Sequence, residues 1–274
     1  MNQTYRSIAI LGLATLLTGL PETVHGQVPS TQPLIVVQAE EEQLTAVRLY
    51  NQGVDKLEAG DYPGAISDFS DALKLNPSDA DSHYNRGYAY HSLGNYDAAI
   101  YDYTEAIKLN PDFDQAYSNR CYAHFVSRDY EKAIADCTKA IDINPDSDTA
   151  YVSRGNAYDE QGNHEAALAD YEKAIKVNPE NAMAYYNRGL AHNRLKQHEA
   201  ALEDYTKSVQ IDPVFAEAFY NRGITQVQLN NTEEAVADLR QAAELFQKQG
   251  RTESYQGTMN AIRTLEEEKP QANP

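Results

Sequence analysis

The sequence predicts an all-α chain, built as six tandem helix-turn-helix units with a C-terminal capping helix, and three observations carry that prediction. From Ala46 onward the chain matches itself repeatedly when displaced by 34 residues, and a self-similarity of that length must be settled before any other fold argument. Proline sets the phase. Asn76-Pro77, Asn110-Pro111, Asn144-Pro145, Asn178-Pro179 and Asp212-Pro213 recur 34 apart, and each marks a helix end, because proline lacks an amide donor and restricts the residue before it. Two columns of small residues share that phase: Gly53, Gly87, Cys121, Gly155, Gly189 and Gly223, and Ala65, Ala99, Ala133, Ala167, Ala201 and Ala235. Small side chains at both places let two antiparallel helices approach closely.

Taken in chain order, residues 1–26 read as a secretory signal peptide. Met1 to Arg6 is polar with one cation, Ser7 to Leu20 is uncharged and largely apolar, and Val24-His25-Gly26 offers small or modest residues where a signal peptidase inspects the chain. The alternatives are an uncleaved anchor or a buried helix, but the run is shorter than the ~20 residues that span a bilayer. A mature chain beginning near Gln27, with no membrane span, is expected. Residues 27–45 form a linker and lead-in to the first helix; Gln27 to Ala39, with Pro29, Pro33 and the short Leu34-Ile35-Val36-Val37 stretch, reads as a tether with little fixed structure.

Residues 46–249 hold the six units. Large residues fill the layers around the small-residue contact: Phe69, Tyr103, Tyr171, Tyr205 and Leu239 in the second helices, and Leu49, Tyr117, Tyr151, Tyr185 and Phe219 in the first. Gly60-Asp61-Tyr62, Gly94-Asn95-Tyr96 and Gly162-Asn163-His164 are turn signals between the two helices of a unit. The sixth unit ends at Gln247 without its proline. Residues 250–267 supply a capping helix, with helical spacing through Tyr255, Met259, Ile262 and Leu265, as a terminal repeat requires. Residues 268–274 read as a disordered tail.

Period, small-residue columns and terminal proline together resemble the tetratricopeptide repeat (TPR) family. Tyr84-Asn85-Arg86-Gly87, Tyr186-Asn187-Arg188-Gly189 and Tyr220-Asn221-Arg222-Gly223 recur in one phase and carry the likeness. Lys56 and Gln226 depart from the aromatic expected midway along their first helices, and Cys121 and Cys137 stand for glycine and an aromatic in the third unit. The resemblance implies a right-handed superhelical solenoid whose first helices line the concave face. Some members bind acidic chaperone tails through a carboxylate clamp of lysines, asparagines and an arginine. Asparagines recur here at Asn51, Asn85, Asn119, Asn187 and Asn221, but the clamp lysine places hold Tyr50 and Tyr84 in one column and Asp81, Gln115 and Thr149 in the other. No such clamp is expected.

The chemistry-bearing patterns are sparse. With 23 Lys+Arg against 41 Asp+Glu, a formal charge of −18, the surface repels phosphate backbones, so nucleic acid is not an expected partner. The sequence has no G-x-x-x-x-G-K loop, G-x-S-x-G elbow or H-E-x-x-H helix. His164-Glu165 and His198-Glu199 lack the second histidine and fall on inter-helix turns, while His124 and His192 share a packing column with Tyr90 and Tyr158. Asp68, Asp102, Asp136, Asp170, Asp204 and Asp238 recur once per unit, and a catalytic pair would not be copied six times. No enzyme, cofactor or metal is therefore expected. Cys121 and Cys137 lie on packed neighbours, either bridged, which export permits, or as two buried thiols. Arg86, Arg120, Arg154, Arg188 and Arg222 begin only at the second unit, where Gln52 precedes them in the first. This offset predicts a ladder across the repeat interfaces, Asp68 with Arg86 and Asp204 with Arg222.

The expected function is a non-catalytic scaffold that binds a protein or peptide segment, in an exported, periplasmic or equivalent compartment; the alternative is an array that binds carbohydrate or an envelope polymer, suggested by 20 Tyr and the acid content. Residues at i, i+4 and i+7 share a helical face, which gives the stripes Tyr50-Val54-Leu57, Tyr84-Tyr88-His91, Ser118-Tyr122-Phe125 and Tyr186-Leu190-Asn193. The family likeness puts these stripes in the groove. Tyr84, Tyr88, His91, Tyr122, Phe125, Tyr186 and Tyr220 are the expected partner-binding residues, with Asp81, Asp112 and Asp159 as acidic surroundings.

Overall fold

The structure, a computed structural model, describes residues 32–267, and among these it contains thirteen α-helices and no strand. They are α1 (Gln32–Glu58), α2 (Tyr62–Leu75), α3 (Ala80–Ser92), α4 (Tyr96–Leu109), α5 (Asp114–Val126), α6 (Tyr130–Ile143), α7 (Asp148–Glu160), α8 (His164–Val177), α9 (Ala182–Arg194), α10 (His198–Ile211), α11 (Ala216–Gln228), α12 (Thr232–Lys248) and α13 (Thr252–Glu267). The chain divides into two units, Met1–Glu42 and Gln43–Pro274. The second holds the repeats and the groove. The signal peptide expected over 1–26 and the tail expected over 268–274 lie outside the described residues.

One boundary moves. The tether expected up to Ala39 is helical from Gln32, because α1 starts there. Pro33 sits in the first turn, where its missing N–H costs no hydrogen bond, and the Gln, Glu, Ala and Leu that follow are good helix formers.

The repeat grammar follows from local chemistry. Asp61, Asn95, Asp129 and Asn163 cap the second helices by accepting from the N–H three residues on. The turn before each cap needs a left-handed residue. Gly60, Gly94 and Gly162 supply it at φ 74–79°, while Arg128, Lys196 and Asn230 adopt it at φ 60–62° in the other three units. At the far end, the residue before each proline is extended, as at Asn76 (φ −132°, ψ 84°), and the helix stops. Without that proline α12 runs on to Lys248.

Within a unit, the glycine column takes the aromatic of the second helix edge to backbone. A Cβ on Gly155 would lie 2.6 Å from the Tyr171 ring, and Gly87 and Gly189 face Tyr103 and Tyr205 in the same way. Burial pushes all three phenols well above their ordinary range. In the third unit a covalent link replaces this contact: Cys121 and Cys137 form a disulfide with Cα atoms 5.4 Å apart.

The charged ladder is corrected by the structure. Arg86, Arg120, Arg154, Arg188 and Arg222 each donate Nε and Nη2 to both oxygens of the aspartate sixteen residues on, in their own unit, at 2.6–2.8 Å. The hairpin brings these two positions face to face, whereas the previous unit's aspartate points into its own hairpin. Asp68 instead pairs with Lys56 at 2.7 Å, which accounts for a lysine in an aromatic column. What crosses the interface is the third donor. Nη1 of Arg86, Arg120, Arg154 and Arg222 donates to Ser70, Thr104, Thr138 and Thr206 of the preceding second helix. At Arg188 that place is held by Glu172. Sixteen residues before Gln52 stands Val36, which carries no hydroxyl. His124 and His192, the two expected packing histidines, turn Nε2 toward Asp136 and Asp204 at 3.8 Å.

A second ladder joins the first helices. Asn85, Asn119 and Asn221 each donate Nδ2 to the hydroxyl of the tyrosine 35 residues back, Tyr50, Tyr84 and Tyr186, at 2.9–3.1 Å. The array ends under α13, where Ile262 packs on Val236 and Leu239 and Tyr255 on Leu245 and Phe246. Met259, grouped by spacing with the apolar face, is 41% exposed.

Candidate binding groove

The odd-numbered helices from α3 to α11 lie directly against one another, and no pair of even-numbered helices approaches so closely. Closer spacing belongs to the inside of a curve, so the first helices line the groove. Its side chains come from the positions that the glycine, arginine and large-residue columns leave over.

At α3 and α5 this leftover stripe is aromatic. Tyr88 stacks on His91 with ring centroids 6.5 Å apart, His91 on Tyr122 at 5.1 Å with planes 17° apart, and Phe125 continues the row at 6.4 Å from Tyr122 and 5.8 Å from Tyr130. Tyr88 and Tyr122 remain 36% and 43% exposed. Rings held by rings have few rotamers left to lose on binding. Burial holds the His91 imidazole below its usual value, so at neutral pH it is one more uncharged ring of the row.

Not every residue expected at the site is free for it. Tyr84 and Tyr186 pack against Phe113 and Phe215, 4.8 and 4.7 Å between centroids, and accept from Asn119 and Asn221. Burial pushes the Tyr186 phenol up to about 12. Tyr220 lies over Phe246 and the α12–α13 contact. These three hold repeats together. Tyr88, His91, Tyr122 and Phe125 form the continuous surface. Asp81 and Asp112 are exposed, whereas Asp159 is buried.

Beyond Phe125 the groove turns polar around a cavity of about 90 Å³ between α7 and α9. Asp159 on its rim binds His164 Nδ1 at 2.6 Å and Arg194, whose Nη2 also reaches Glu160 at 3.1 Å. Asn156 accepts from the Tyr171 hydroxyl at 2.8 Å and faces the same space. Asn187 is the odd member of its ladder. It is 8% exposed, and its amide finds no hydrogen-bond partner among the described residues, since the tyrosine column holds Val152 where it would reach. Asn156, Glu160 and Arg194 escaped the sequence reading, and Asn187 figured there only among the recurring asparagines. The signal present was that Val152 stands in the tyrosine column one unit before Asn187, although both columns are also interrupted elsewhere, at Ser118 and Ser153.

The tetratricopeptide repeat profiles match residues 50–112 and 152–214, 115–147 and 216–249. The chain belongs to the tetratricopeptide repeat family. Among solved structures it is similar to MamA, at 28% identity over 59% of this chain and 94% of that one, with a TM-score of 0.55. It is also similar to PilF of Pseudomonas aeruginosa, at 15% identity over 82% and 99%, TM-score 0.66. A third is YrrB, described as a TPR protein with an unusual peptide-binding site, at 23% identity over 65% and 91%, TM-score 0.52. At these identities PilF and YrrB establish the fold alone. No curated protein matches the chain. Arrays of this family are in general protein-interaction scaffolds. No described helix is long and apolar enough to cross a membrane.

Proposed function

We propose that the chain is a non-catalytic scaffold that captures an extended or helical segment of another protein in the groove of α3, α5, α7 and α9, in assembly of an exported or envelope complex. The observation that carries this is the row Tyr88, His91, Tyr122 and Phe125, in which Tyr88 and Tyr122 stay exposed and which lies outside the asparagine ladder and the α12–α13 contact that occupy Tyr84, Tyr186 and Tyr220. Phe125 also packs on the third unit's core. Aromatic residues in such positions are the usual anchors of binding energy. A peptide-binding array of the same fold, YrrB, adds support. The polymer-binding alternative rests on tyrosine number and acid content, and much of the tyrosine number serves the interior.

Export is supported by the order of polar, apolar and small residues in Met1 to Gly26 and by the Cys121–Cys137 disulfide, a bond at home in oxidising compartments. The test is a photocrosslinking residue at Tyr122 in the producing cell, with one at Tyr101 on the outer helix α4 as control. A specific protein captured from Tyr122 and not from Tyr101, by a chain whose N-terminus lies near Gln27, is the expected outcome. Equal capture from both positions would overturn the groove as the site, and a cytoplasmic chain that still begins at Met1 would overturn export.

A further inference from the structure

Resting on the groove reading, we propose that the cavity between α7 and α9 takes the head of a lysine or arginine side chain from the bound segment. Two features converge there. Asn187 as a residue is more than nine-tenths buried, lines the cavity and makes no side-chain hydrogen bond among the described residues, so its amide opens into that space, while Asn85, Asn119 and Asn221 are engaged. An amide presented to the cavity with no partner from the chain has both its oxygen and its NH2 open to a ligand. The space, about 90 Å³, far exceeds the ~10–15 Å³ that one water needs.

The charge selects the occupant. Asp159 and Glu160 share one guanidinium, that of Arg194, and with histidine counted as neutral the rim carries one negative charge more than positive. Arg194 itself demonstrates that this pair of acids can hold a guanidinium in the groove. A second cation restores balance, with Asn187 and Asn156 as neutral neighbours and Phe125 and Leu190 beside the aliphatic stem. A carboxylate would meet Asp159 and Glu160, the reverse of a clamp for acidic tails. An apolar head would leave the Asn187 amide unpaired. The cavity follows Phe125, so the basic residue lies next to the part of the segment that covers the aromatic row.

The experiment uses the full-length protein and a library of random linear nonapeptides displayed on phage. Enriched clones are resynthesised, and affinity is read by fluorescence anisotropy on the parent, Glu160→Gln, Asn187→Ala and the Tyr88→Ala/Tyr122→Ala pair. Glu160 is exposed and Asn187 makes no hydrogen bond to the described chain, so both single variants should melt like the parent. Selected peptides should carry a lysine or arginine at a fixed distance from an apolar anchor, and norleucine there should weaken binding about tenfold. In Glu160→Gln or Asn187→Ala that ratio should fall below about threefold, the mark of direct coupling. Peptides that need Tyr88 and Tyr122 but show no basic preference, or select an acid instead, overturn this inference and leave the groove reading standing. Failure to select any peptide that depends on Tyr88 and Tyr122 overturns both.

Discussion

Reducing the Cys121–Cys137 bond should loosen the third unit selectively. The bond closes a loop of sequence separation 16, and a closure of that length restricts the unfolded chain by about 3 kcal/mol in the chain-entropy account. Cys137 also stands where other units bury a tyrosine against glycine, so once reduced the pair has no ring contact to fall back on. In a repeat array such a loss acts first on the unit that bears it and its neighbours. Hydrogen exchange resolved by segment is therefore the assay. Amides of α5 and α6 should exchange on the order of 100-fold faster in reductant, while those of α10 and α11 change little. The double substitution Cys121→Gly/Cys137→Tyr, which installs the contact used at Gly87–Tyr103 and Gly155–Tyr171, should remove the sensitivity to reductant and keep the helices protected. Exchange in α5 and α6 that ignores reductant, or two thiols titrating in unreduced, denatured protein, would refute the reasoning.

Other consequences follow from the same packing. Gly155→Ala puts a methyl 2.6 Å from the Tyr171 ring and should lower stability by about 1–3 kcal/mol; a urea midpoint equal to the parent's would count against the close approach. Asn119→Ala and Asn221→Ala, each removing a bond to a tyrosine hydroxyl, should cost about 1 kcal/mol, while Asn187→Ala should cost less than about 0.5 kcal/mol; equal losses at all three would contradict the broken ladder. His91 is held neutral by burial, so its folded value lies below the unfolded one near 6.5. The unfolded chain then binds the proton first, and the contribution of this ring to stability is complete above the unfolded value and is lost as pH falls through the folded one. His91→Phe should flatten the fall in stability below pH ~6.5; an unchanged slope would assign that fall to other groups.

The period, the proline stops and the glycine and alanine columns were legible in the sequence because one steric requirement is repeated in every unit, and a repeated requirement leaves a column. The disulfide was legible as an alternative, since Cys121 and Cys137 occupy the two positions that touch elsewhere. The start of α1 was not: Pro33 and an apolar run look like a tether until proline is placed in a first turn. The Arg–Asp pairing was misread because Gln52 fits two explanations, a missing aspartate or a missing hydroxyl before it, and only the hairpin geometry chooses between them. Likewise Tyr84 and Tyr88 are both tyrosines on one stripe, yet Asn119 and Phe113 engage the first and leave the second exposed. Which ring is engaged depends on the neighbouring unit, a contact that periodicity within one helix does not encode.

The central claim is that the Tyr88–Phe125 row binds the partner, and its most direct measurement is the affinity of the crosslinked partner for the parent chain and for Tyr88→Ala/Tyr122→Ala, with Tyr101→Ala as control. Both rings are exposed, so the double variant should remain folded by circular dichroism. Each ring as a hot spot contributes at least ~1 kcal/mol, so the pair should weaken binding by roughly 30-fold or more, with the Tyr101 control unchanged. If the folded double variant binds that partner as tightly as the parent does, the aromatic row is not the binding site.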